Sequence, residues 1–174
     1  MDPRLKDILE MGAYILLGYL IAVGALKGLS YGLKTDYPAV SVITTSMEHD
    51  NPEETYVSWM LQRNYTRQDL KEFSFPSGLR RGDMVIVVGN NFGSIEPGDV
   101  IVYNTDSTEP IIHRVVSRNE TVLYTKGDNN RYMDQNNNAI APPINEEYYQ
   151  GKAVFHMPIL GYVKVAVMKL QGKA

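Results

Sequence analysis

The chain has 174 residues, with Lys+Arg 17 against Asp+Glu 20, a formal net charge of −3 and no cysteine. No basic run tracks a phosphate backbone, so a nucleic-acid role is excluded; structural disulfides and thiolate metal sites are excluded with cysteine. A domain of about 150 residues buries roughly 70% of its unfolded surface, so a core forms here without staples.

Between Glu10 and Lys34 lie 23 residues with a single charge, Lys27. As a helix they extend about 35 Å, against a hydrocarbon core of about 30 Å, which predicts a transmembrane helix in an N-terminal segment 1–34. Lys27 reaches the headgroup level on its long stem. A buried core helix and a cleaved signal peptide are the alternatives. Arg4 and Lys6 stand on one side and Lys27 and Lys34 on the other, so charge does not decide the orientation.

A β-rich domain is expected over 35–170, with a short tail at 171–174. Ala39 to Thr45, rich in Val, Ile and Thr, predicts a strand leading directly into Ser46. A helical insertion is expected over about 51–75: Asn51 can cap, Pro52 suits the first helical position, Glu54 follows three residues after the cap, and Thr66 with Asp69 marks a second start. Trp59, Met60, Leu61, Phe73 and Phe75 supply apolar weight there, read as core packing. Met84 to Val88 and Val100 to Tyr103 are compact apolar runs that predict strands. Pro110 to Ser117 and Thr121 to Thr125 predict a hairpin around Arg118-Asn119-Glu120. Asp128 to Tyr149, which includes Asn136, Asn137, Asn138 and Pro142-Pro143, is read as a long polar loop. Lys152 to Phe155 and Tyr162 to Val167 are read as closing strands. The fold class is mainly β, on one membrane helix, with a small helical insertion.

Three short motifs carry residue types suited to nucleophilic chemistry. Ser46 lies in Thr44-Thr45-Ser46-Met47, at the end of an expected strand. His113 lies in Ile111-Ile112-His113-Arg114-Val115-Val116, where period-two alternation groups it with Ile111 and Val115. Asp128 and Asp134 both belong to the stretch that opens at Lys126-Gly127-Asp128. A weak alcohol nucleophile needs a base to take its proton and a third group to orient that base. An imidazole, which changes charge near neutral pH, suits the base role. His49, three residues after Ser46, is the rival base. The residues alone do not rank Asp134 above Asp128. The three histidines, His49, His113 and His156, lack the i, i+4 spacing of a zinc helix. A calcium loop from Asp128 fails because Met133 stands where glycine is required. Gly82-Asp83 and Gly98-Asp99 read as structural turns before strands.

Taken with the membrane segment, these motifs resemble the type I signal peptidases in their archaeal and endoplasmic-reticulum form, which uses His where the bacterial form uses Lys. The resemblance runs from Tyr37 to about Phe155. It departs at one place: the family commonly has Pro two residues after the Met, where this chain has His49. It implies a mainly β catalytic domain and a membrane-bound serine endopeptidase that removes signal peptides from exported proteins. In that reading Ser46 is the nucleophile, His113 the general base and Asp134 its orienting partner, with Asp128 in secondary support. The Ser46 N–H and the Thr44 hydroxyl bind the oxyanion. Val40, Val42 and Ile43 are expected to form the wall of the substrate pocket, selective for small side chains one and three residues before the cut. The implied partners are signal-peptide-bearing preproteins, the lipid bilayer, and secretion machinery or other subunits; no cofactor or metal is implied. The domain is expected on the extracytoplasmic side. The competing reading is a non-catalytic membrane-tethered β-domain that binds partner proteins.

Overall fold

Alternating runs of Val, Ile and Tyr build the centre of the fold in the computed structural model, which describes residues 3–105, 109–136 and 140–172. Residues Asn137 and Asn138 of the polar loop, 1–2 of the N-terminal segment and 173–174 of the tail lie outside the described residues. The strands are β1 (Ala39–Ser41), β2 (Met84–Val88), β3 (Val100–Tyr103), β4 (Ile111–Arg118), β5 (Leu123–Lys126) and β6 (Tyr149–Met157). They form one antiparallel sheet in the order β1-β2-β6-β3-β4-β5. This is the mainly β architecture expected, behind a long apolar N-terminal helix.

Alternation sorts most of the sheet's buried side chains between two cores, and Val116 joins a third under the insertion. Val40, Val85, Val87, Val100, Val102 and Ile112 share one with Met47 and Leu79. Ile101, Tyr103, Val115 and Leu123 share the other with Phe92, Ile95, Ala141 and Ile144. The loop after β5 covers this second core, pinned by the Leu123–Ile144 bridge. Each fully buried Val, Leu or Ile contributes about 1.5–3 kcal/mol by leaving water, so these faces set the register of the sheet.

α1 (Pro3–Leu33) has 31 residues and buries none of them. At 1.5 Å per residue it extends about 46 Å, and it is apolar on every side. It is long and apolar enough to cross a membrane. It ends where Lys34 turns left-handed (φ 53) and the Thr35 N–H reaches back to Ser30 O, satisfying a carbonyl the helix leaves open. The Gly89 N–H donates to Leu33 O at 2.7 Å and the Thr35 hydroxyl to Gln150 O at 2.7 Å, fastening the helix end to β2 and β6. A Cβ at Gly89 would stand 1.8 Å from Lys34 O, so a side chain there would break this joint.

Several expectations are corrected. The strand into Ser46 is shorter than read, because beyond Ser41 the chain leaves the β2 ladder. It pairs instead with the Gly82-Asp83 turn, through Val42 N to Asp83 O and Gly82 N to Val42 O. The insertion is helical in pieces, and its last helix starts at the Thr66–Asp69 signal read from the sequence. A π-helical turn (Glu53–Val57) runs into α2 (Ser58–Leu61), Asn64 takes φ 67 and breaks the path, and α3 (Arg67–Glu72) starts afresh on a Thr66–Asp69 capping box. Asn51 supplies its carbonyl to the first turn rather than a side-chain cap. The stretch Tyr162 to Val167 is helical, not a strand, within α4 (Tyr162–Leu170). Only Val165 and Met168 are buried, at i, i+3 spacing, while Val163 and Val167 are exposed, so packing on one side overrides β-branched propensity.

Candidate active site

β1 lies at one edge of the sheet and β4 near the other, with three strands between them. Even so, Ser46 Oγ lies 3.0 Å from His113 Nε2. The sheet is therefore curled, and the chain beyond β1 folds across its open mouth to meet β4. The Ser46 turn is gripped by its carbonyls: Asn129 N–H donates to Ser46 O at 2.8 Å, Leu79 N–H to Met47 O at 2.9 Å, and Asn129 Nδ2 to Thr45 O at 3.2 Å. Thr44 Oγ1 and Ser46 Oγ share a hydrogen bond of 3.0 Å.

His113 sits on β4 opposite Ile101 of β3 and is 3% exposed. Its Nδ1 lies 2.7 Å from Asp134 Oδ2. Asp134 is buried in the loop after β5, with its N–H on Thr125 O at 2.9 Å and its carbonyl accepting from Ile140 N–H at 2.9 Å. Burial pushes the Asp134 carboxyl up, but the hydrogen bond and charge of His113, with hydrogen bonds from Thr125 and Tyr103, hold it below the usual carboxylate range. An ionised carboxylate has no proton to give, so Nδ1 carries the hydrogen and Nε2 faces Ser46 Oγ–H as an acceptor. The geometry is a linear relay from hydroxyl to imidazole to carboxylate.

Tyr103 completes it and was not singled out in the sequence. Its hydroxyl donates to the same Asp134 Oδ2 at 2.8 Å. Burial and the Asp134 charge hold the phenol above its usual range, so it remains a donor. The signal was available: alternation puts Tyr103 on the His113 face, and a buried tyrosine hydroxyl needs a partner.

Each histidine meets a different aspartate. His49 Nε2 lies 2.9 Å from Asp128, and His156 Nδ1 lies 3.0 Å from Asp83. A carboxylate partner therefore does not distinguish His113; the serine on its other nitrogen does. Asp128 is separated from the relay. Arg114 Nε and Nη2 hold its two oxygens at 2.9 and 2.7 Å, and both residues are buried. Burial pushes the Asp128 carboxyl up, but the Arg114 charge and the hydrogen bonds from His49 and Arg114 outweigh it and bring it down to about 2. Lys126 is buried beside it and donates Nζ to Thr55 O, Gly127 O and Asp128 O. Burial pulls its pKa down to about 8, against the attraction of Asp128 and Asp134.

A carboxyl more acidic in the fold than in the unfolded chain adds stability above its unfolded pKa of 3.8 and loses it as pH falls toward about 2. Asp128→Asn is thus expected to lower the unfolding free energy by about 2 kcal/mol at neutral pH. The gap should close as acid protonates the wild-type carboxyl. Denaturant unfolding across a pH series checks this, and a gap that stays constant into strong acid contradicts it.

A cleft of about 460 Å³ opens beside Ser46 and His113. Ser41 to Thr44 form one wall and Glu109 to Ile112 the other. Val42 and Ile43 are among its lining residues. Val40 is not among its lining residues: it is buried in the first core, which Val42 also joins while reaching the cleft. Trp59 lies in the insertion under the Arg63 guanidinium, 3.3 Å from the ring centroid, and packs with Phe73 around Met60.

No protein-family model matches the chain. Curated proteins do. The signal peptidase complex catalytic subunit SEC11 of Yarrowia lipolytica is 27% identical over 162 residues, 83% of this chain and 72% of that protein. That of Schizosaccharomyces pombe is 34% identical over 113 residues, 62% of this chain and 54% of that protein. That of Colletotrichum graminicola is 31% identical over 99 residues, 53% of this chain and 58% of that protein. The matched part thus spans somewhat more than half of the latter two. Joined to the serine, histidine and aspartate motifs in their order, these matches make the chain similar to the catalytic subunits of signal peptidase complexes.

Proposed function

We propose that the chain is a membrane-bound serine endopeptidase that removes N-terminal signal peptides from exported proteins. The observation that carries this reading is the relay Ser46–His113–Asp134, whose serine end opens on a cleft. His113 Nε2 takes the Ser46 proton as Oγ attacks the peptide carbonyl. Charge on the tetrahedral oxygen is met by the Ser46 N–H and the Thr44 hydroxyl, which leaves its ground-state bond to Oγ. His113 returns the proton to the departing amine, leaving an ester between Ser46 and the C-terminal residue of the leader. Water, deprotonated by the same imidazole, hydrolyses that ester. Asp134 holds the ring and stabilises the imidazolium, with Tyr103 fixing the carboxylate.

An extended leader fits between Ser41–Thr44 and Pro110–Ile112, pairing with the first as an added strand. Val42 and Ile43 bound the side-chain pocket. α1 tethers the site to the bilayer in which the leader arrives, with the domain on the extracytoplasmic side, and so raises the local substrate concentration. Other subunits of a signal peptidase complex are partners consistent with the relatives' names.

The test is cleavage of a model preprotein in detergent by the purified full chain. One cut, with small side chains one and three residues before it, is expected, and none with Ser46→Ala. A preprotein that is bound but left whole, or cleavage that persists without Ser46, overturns the reading.

A further inference from the structure

The mechanism uses one of the three histidines. His49 occurs where the chain departs from the serine motif it resembles, and its side chain is engaged. Its ring stacks on Tyr56 of the π-helical turn, with centroids 4.8 Å apart. It also packs on Gly78, whose φ is +74 and where a Cβ would stand 2.8 Å from His49 Cδ2. Its Nε2 lies 2.9 Å from Asp128 Oδ2. The Asp128 carboxylate, gripped by Arg114, can only accept, so Nε2 is the donor.

The sequence positions of these groups give the bond its meaning. His49 lies three residues after Ser46, on the nucleophile turn. Arg114 follows His113 directly, on the strand that carries the base. Both hold the same Asp128 oxygen, at 2.9 and 2.7 Å. Asp128 is thus the common anchor of the two segments that must meet. Arg114 is immobile in turn: it is fully buried, and its Nη1 donates to Ser74 O and Gly98 O.

We propose that His49 is a positioning residue: by donating Nε2–H to Asp128 it ties the Ser46 turn to the His113 strand and sets the hydroxyl-to-imidazole approach. This rests on the peptidase reading above. Loss of the tie leaves the cleft walls and the His113–Asp134 pair in place but lets the Ser46 turn drift. A displacement of about 1 Å can cost about 100-fold in rate, whereas ground-state binding along the cleft walls does not depend on it.

The test uses the full chain and the same preprotein, with kcat and KM taken per folded molecule. His49→Leu and His49→Phe both lack the donor, and the second keeps an aromatic ring to stack on Tyr56. Each is expected to lower kcat by about 10- to 100-fold with KM within about twofold. His49→Gln, which can still donate to Asp128, is expected to recover kcat to within about threefold of wild type. Two non-donor variants keep the test decisive if one of them fails to fold. Wild-type kcat in the non-donors, a loss confined to KM, or a His49→Gln variant as slow as His49→Leu overturns the proposal while leaving the peptidase reading intact. Cleavage that survives Ser46→Ala overturns that reading and this proposal with it.

Discussion

Alanine in place of Ser46, or in place of His113, is expected to lower kcat about a million-fold, while Asp134→Asn costs roughly 10⁴-fold. The ranking follows from the geometry. Without the hydroxyl there is no nucleophile, and without the imidazole nothing takes its proton across the 3.0 Å gap. Asn at 134 leaves a ring with no carboxylate to fix its tautomer, so Nε2 no longer faces Ser46 reliably as an acceptor. Asp128→Asn is expected to cost less kcat per folded molecule than Asp134→Asn, because its carboxylate touches neither reacting atom. Single-turnover cleavage, with the folded fraction measured by circular dichroism, separates the two. Equal or reversed losses contradict the assignment of Asp134 over Asp128.

Arg114→Met is expected to be the most destabilising single change in the domain. Its fully buried guanidinium satisfies both oxygens of Asp128 and the carbonyls of Ser74, Phe75 and Gly98. Removing it strands a buried carboxylate, which costs about 3–5 kcal/mol. For a domain of this size that is a fall in melting temperature on the order of 10 °C. Pairing it with Asp128→Leu removes the stranded charge and recovers part of the loss. Thermal unfolding in detergent measures both. A single variant that melts within about 2 °C of wild type contradicts the account of the network.

How much of this was legible in the sequence differs by element. β2 and β3 lie where their apolar runs predict, and β4 and β5 fall within three residues of the expected hairpin, because alternation over a half-buried face is a strong local signal. α4 was misread because Val163, Val165 and Val167 alternate as a strand would, and only packing showed that Val165 alone of the three turns inward. The order of Ser46, His113 and Asp134 was visible. Their convergence was not, since it depends on the curl that brings the chain after an edge strand to β4. For the same reason His49 stood as the rival base: nearness along the chain suggested Ser46, whereas folding turned its Nε2 to Asp128. Tyr103 and Arg114 went unassigned because their partners lie 31 and 14 residues away.

The absence of cysteine allows a direct test of the central contact. Ser46→Cys places the sole thiol of the full chain beside the His113 imidazole, which favours thiolate. Alkylation by iodoacetamide in mildly acidic buffer is expected to outpace that of a free model thiol and to fall to the model rate when His113→Ala is added. A rate indifferent to His113 would contradict the claim that this imidazole serves the side chain at position 46.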